Sequence, residues 1–213
     1  MSECKTIKCI LDRLNKKIEK DNKVFATLSN QEKRIRIAWD VLDQLNTNKL
    51  KVARGNFVAL PSYKSNYTDF SLKKIQDSCQ VCALGGLLLS TLKHEGSEFS
   101  EEEKDSLGNS ATRSVDIINN RLSDIFTTDQ LKAIEYVFEK GAGYYNDFRL
   151  EEIVPFTNMI ATSSHEDRLR LIMENIIVNR GTFIPTLLPV YSDCRFTTPG
   201  FPYPKPKKVT KKL

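Results

Sequence analysis

Histidine is almost missing from this 213-residue chain, which carries only His94 and His165. Two imidazoles leave little material for a proton relay or for a Cys–His nucleophile. No Walker loop, dinucleotide fingerprint, His-Glu-x-x-His helix or Gly-x-Ser-x-Gly elbow is present either. Long hydrophobic runs are also lacking. The longest, "VCALGGLLL" (81–89), is less than half of the roughly 20 residues a membrane span needs, so no membrane association is expected. Charges interrupt the N-terminal "MSECKTIKCILDRLNKK" throughout, so no secretory leader is expected and the predicted location is cytoplasmic. The 5 cysteines are an odd count without regular spacing, which argues against a disulfide framework and for reduced thiols. A charge excess of one sign is missing from the body as well. The formal charge of +5 sits in "KPKKVTKKL" (205–213), and without that tail acidic and basic residues balance at 27 each. A neutral body disfavours a nucleic-acid enzyme, and the lysine tail reads first as a solvated end.

What remains is helical periodicity. Cys4, Ile7, Leu11, Leu14 and Ile18 form one stripe, with a polar stop expected at "KDNK" (20–23). Ser29 and Glu32 have capping-box spacing at the start of a second helix. Its buried face is predicted at Ile35, Trp39 and Leu42, its wet face at Lys33, Arg36, Asp40 and Asp43. In "LKVARGNFVAL" (50–60) β-favouring residues flank "RGN" and Pro61 closes the run, which predicts a small β-hairpin. Further capping spacings occur at Ser100/Glu103, Thr127/Gln130 and Ser163/Glu166. Apolar stripes run through Val115, Ile118, Leu122 and Ile125, then Leu131, Ile134 and Phe138, then Leu169, Ile172, Met173, Ile176 and Ile177. Residues 101–114 read as a polar loop, while Gly141 and Gly181 stand where helices end. From Pro185 onward proline forbids a helix. The predicted fold is mainly α: one helical domain over 1–184 with a small β-hairpin, and an extended arm over 185–213.

"CQVCALGGLLLS" (79–90) contains the one motif associated with chemistry, a Cys-x-x-Cys. Leu72, Ile75, Cys79, Cys82, Gly86 and Leu89 are spaced 3-4-3-4-3, which places both thiols on the apolar seam of a continuing helix. A redox pair belongs at a helix start after a strand, and a zinc site needs two further ligands at matching spacing. Packing cysteines in a central core helix are therefore expected, with Gly85 and Gly86 marking a close neighbour. His165 reads as part of a helix cap. Paired carboxylates are scarce away from solvated runs, so no catalytic, metal or cofactor constellation is predicted.

Two segments suit binding. In "MENIIVNRGTF" (173–183), Asn175 and Asn179 share a helix face beside Arg180. Their helix-propensity cost implies compensation, by the hairpin, the arm or a ligand. "GAGYYNDFR" (141–149) offers Tyr144, Tyr145, Asn146 and Arg149 for stacking and guanidinium contact with a planar or phosphorylated molecule. Arg54, at the predicted hairpin tip, adds a possible phosphate contact or is a plain turn residue.

"KRIRIAWDVLDQL" with "KLKVARGNFV", then "CQVCALGGLLLS", then "RLRLIMENIIVNRGTF", resemble in type and order a set of small bacterial and phage proteins of unassigned function. That pattern runs Arg-x-Ala-Ile-Ala-Lys-Asp-Val, a hairpin, Cys-x-x-Cys-Ala-Leu-Gly, and Ile-Met-Glu-Asn-Ile-x-x-Asn-x-Gly-x-Phe. The likeness covers roughly residues 33–60, 79–90 and 168–185. This chain has Trp39 where the pattern has lysine and Gly86 where it has alanine. A phage affiliation implies a counter-defence role in the host cytoplasm. The expectation is a non-enzymatic binder of a nucleotide-derived signal or of a host protein. The alternatives are a nucleotide-processing enzyme with an unfamiliar site and a nucleic-acid-binding accessory that uses the lysine tail.

Overall fold

A computed structural model describes residues 7–54, 58–59, 80–100, 103, 117–118, 120–139 and 164–185. In chain order these hold α1 (Ile7–Thr27), α2 (Asn30–Asn46), β1 (Lys51–Val52), β2 (Val58–Ala59), β3 (Gln80–Val81), α3 (Ala83–Glu95), α4 (Thr128–Phe138) and α5 (His165–Val178). The mainly helical fold matches the sequence expectation. The proposed arm over 185–213 lies, from 186 onward, outside the described residues.

The helix starts follow from their caps. At Ser29 the box is complete: the Glu32 N–H donates to the Ser29 Oγ at 3.3 Å and the Ser29 N–H to the Glu32 carboxylate at 2.9 Å. Thr127 caps α4 through the Gln130 N–H, and Ser100 with Glu103 closes another reciprocal pair. The α5 cap is Ser164 with Asp167 rather than Ser163 with Glu166. Ser and an acid recur at the same spacing in adjacent frames there, and packing of Leu169 and Ile172 selects the frame. α1 runs through "KDNK" to Thr27, because Phe25 is in the core and holds the last turn in place.

α3 is the centre of the body. Every residue from Val81 to Leu92 is buried, and "ALGGLLLSTL" carries no charge that needs solvent. α2 packs against both α3 and α5, so it has two buried sides. Ile35, Ile37, Ala38, Val41, Leu42 and Leu45 fill them. This corrects the predicted single stripe: Trp39 is 39% exposed, and the side chain of Asp40, placed on the wet face, retains only 10% of its exposure.

The strands near 50–60 form but do not pair as a hairpin. β3 lies between them, parallel to β1 and antiparallel to β2. Two strands flanking a third stand roughly 10 Å apart, a gap that five linking residues span easily. Ladder hydrogen bonds thereby draw Gln80 and Val81 out of the predicted continuous helix. The Cys-x-x-Cys motif consequently ends at a strand-to-helix junction, with Cys82 as the extended N-cap of α3.

Two glycines differ in what they require. Gly181 has φ +85°, and a Cβ there lies 2.5 Å from the Gln31 carbonyl oxygen. A Cβ on Gly86 meets only Leu50, Leu169 and Val41 methyls at 3.6–3.9 Å, ordinary contact rather than the close approach predicted. Gly86→Ala is therefore expected to raise unfolding free energy by about 0.5–1 kcal/mol, and Gly181→Ala to lower it by about 1–3 kcal/mol. Urea melts of the two variants check both signs.

Candidate functional site

The N-terminal end of α3 gathers groups from four elements. Cys82 is 2% exposed, with the Leu84 and Gly85 N–H groups facing its sulfur. Glu135 on α4 and Glu139 at its C-cap sit four residues apart and are 4% and 7% exposed. Arg168, in the first turn of α5, is fully buried and donates from Nη1 to the Phe138 carbonyl at 2.5 Å. Arg54, just beyond β1, donates from Nε to Glu139 Oε2 at 3.0 Å.

The charges offset one another. Burial lowers the Arg168 pKa, the Arg54 charge lowers it further, and Glu139 acts in the opposite direction. Glu139 supplies the counter-charge shared by Arg54 and Arg168, the kind of partner a buried ion requires. For Cys82, burial pushes the thiol up to about 12, against the opposing amides, and both glutamates push the same way. The junction has the strand-then-helix geometry of reactive cysteines but not their electrostatics. Cys82 is a packing thiol, as the sequence implied, though in a different local setting. Cys79 lies outside the described residues.

Of the predicted binding residues that fall among the described ones, Arg54 alone reaches this cluster. Its side chain keeps 40% exposure and one edge of its guanidinium is fixed by a buried carboxylate. Asn175 is fully buried and serves the turn that follows α5. It donates to the Ile184 carbonyl at 2.9 Å and accepts from the Ile184 N–H at 2.8 Å, while Asn179 donates to its Oδ1 at 3.0 Å. Those bonds supply the compensation that mid-helix asparagines require. Arg180 is exposed in a left-handed conformation with φ +52°. Arg168 and Arg180 stand at opposite ends of α5, about 18 Å apart along its axis, so Arg54 and Arg180 do not converge. Tyr144, Tyr145, Asn146 and Arg149 lie outside the described residues.

Glu135, Glu139 and Arg168 were missed by the sequence reading, and the expectation of scarce paired carboxylates is corrected here. The signal was present in the spacing. Glu135 falls on the stripe of Leu131 and Phe138, and Arg168 precedes Ile172 by one turn. A charge at a core position of a periodic stripe is the pattern to look for.

A second polar network joins α2 to α3. Asp40 accepts from Ser90 Oγ at 2.8 Å, Gln44 Nε2 at 2.6 Å and Lys93 Nζ at 2.5 Å. Ser90 and Thr91 are fully buried. Among the described residues no group of three or more His, Cys, Asp or Glu side chains is arranged to hold a metal, and no helix is long and apolar enough to cross a membrane.

No family model, no curated protein and no solved structure matches the chain.

The buried, neutral Cys82 thiol is expected to resist alkylation. In the native protein at neutral pH its reaction with iodoacetamide should run at least about 100-fold slower than in urea-unfolded chain, since attack requires the thiolate. Peptide mass mapping of the labelled cysteine checks this.

Proposed function

We propose that the chain is a non-enzymatic binding protein of bacterial or phage origin that captures a nucleotide-derived anion in a counter-defence role. The observation that carries this reading is the setting of Arg54. Its Nε is fixed on Glu139, so the guanidinium is oriented before any ligand arrives, while the side chain stays partly in solvent. An oriented fork of N–H donors suits phosphate or carboxylate oxygens and loses little entropy on binding. The inert setting of Cys82 favours binding over turnover at this end of the body.

Native mass spectrometry of protein purified from an infected or defence-active host tests the reading. The expected result is an intact chain that releases a phosphate-bearing compound on denaturation. Arg54→Lys keeps the charge beside Glu139 but removes the planar fork, and should weaken capture of that compound about tenfold, the value of one charge-assisted hydrogen bond. A hydrolysed product points to an enzyme instead. A protein co-purifying at fixed stoichiometry with no small molecule would move the assignment to a host-protein partner.

A further inference from the structure

We propose that His94 is an acid-sensitive latch holding α1 on the helical body. Among the described residues α1 packs chiefly on α3, and it joins α2 through Leu28 and Ser29. Its described anchor is Phe25, 2% exposed and stacked on the His94 ring with centroids 5.0 Å apart and planes 17° from parallel. Asn22 packs beside it over Gly96, the left-handed residue that ends α3. Lys33 Nζ stands 5.7 Å from the centroid of the same Phe25 ring. This aromatic stack fixes the last turn of α1 on α3, next to a two-residue connection.

The charges around His94 come from three helices: Asp21 of α1, Arg36 and Asp40 of α2, and its own neighbour Lys93 on α3. Asp40 and Asp21 favour the imidazolium; Arg36 and Lys93 oppose it. Asp40 is already bonded to Lys93, Ser90 and Gln44, which limits what it offers a new cation. Burial decides the balance and brings the imidazole down to about 4. With the folded value below the unfolded one, of about 6.5, the contribution is complete above that pH and is lost as pH falls from about 6.5 toward 4. Protonation inserts a poorly solvated charge where α1 meets α3. The aromatic contact that protonation disturbs is the one to Phe25 of α1, so α1 releases before the body unfolds.

Hydrogen exchange on the full chain, corrected for the intrinsic pH dependence, tests the latch. Between about pH 7 and pH 5, amides of residues 19–27 are expected to lose protection roughly tenfold or more, while those of α3 and α5 keep theirs. His94→Phe, which keeps an aromatic ring and cannot be charged, should hold α1 protection at the lower pH. Unchanged protection of α1, joint loss in α1, α3 and α5, or the same loss in H94F overturns the proposal. Should H94F fail to fold, the His94 imidazole of the natural chain is titrated by NMR. A midpoint below about 6 supports the latch, and one at or above the ordinary value of about 6.5 overturns it.

Discussion

A guanidinium with no exposed surface sets the terms for the upper end of this body. Arg168 is fully buried, and a buried cation is tolerated only when acceptors and counter-charges are brought to it. The acceptor is the Phe138 carbonyl, near the C-terminal end of α4, where the helix dipole also favours a positive group. The counter-charge comes from Glu139, and Glu139 in turn holds Arg54 beyond β1. One side chain on α5 therefore determines where α4 ends relative to α5 and where the sheet edge sits. The partly exposed Arg54, on which the functional proposal stands, is oriented at the end of that sequence of contacts.

The other end of α3 is built on the same logic with the signs exchanged. Asp40 is the nearly buried charge, and Ser90, Gln44 and Lys93 are brought to it. Between the two clusters α3 is apolar on every side, so the helix is located by its ends as much as by its packing. Lys93 and His94 lie in its last turn, where positive charge complements the helix dipole, yet burial keeps His94 neutral. At that end the neutral imidazole gives α3 an acid-responsive contact with α1, the basis for treating α1 as separable.

Much of the helical framework was legible in the sequence because its signals are local. The Ser29/Glu32 box and the Thr127 cap are three-residue patterns, and the α5 stripe from Leu169 to Ile177 repeats with helical period over several turns. Gly181 was legible too, as a helix terminator, and its positive φ shows why no other residue serves as well. What escaped depends on partners distant in sequence. β3 is two residues long and has no period of its own; it exists because β1 and β2 supply its ladder. Trp39 and Asp40 were assigned to the wrong sides because α2 is covered by two neighbours, which a one-stripe helix reading does not allow. Arg168 looked like an ordinary charged flank of a stripe, and its acceptor lies 30 residues away in the chain. Of the candidate site, only Arg54 and the packing role of Cys82 were foreseen. The paired glutamates were hidden by the rule that carboxylates belong outside.

The central claim is that Arg168 and Glu139 act as one unit on which the α4–α5–β1 corner depends. A double-mutant cycle in urea, with Arg168→Met, Glu139→Gln and the two together, tests it most directly. Glu139→Gln leaves the buried Arg168 without its counter-charge and is expected to cost about 3–5 kcal/mol, while Arg168→Met leaves Glu139 with Arg54 as its partner. The double variant should be destabilised by less than the sum of the two, with a coupling of at least about 1 kcal/mol. Additivity to within about 0.5 kcal/mol would contradict the account and leave Arg54 without a fixed support.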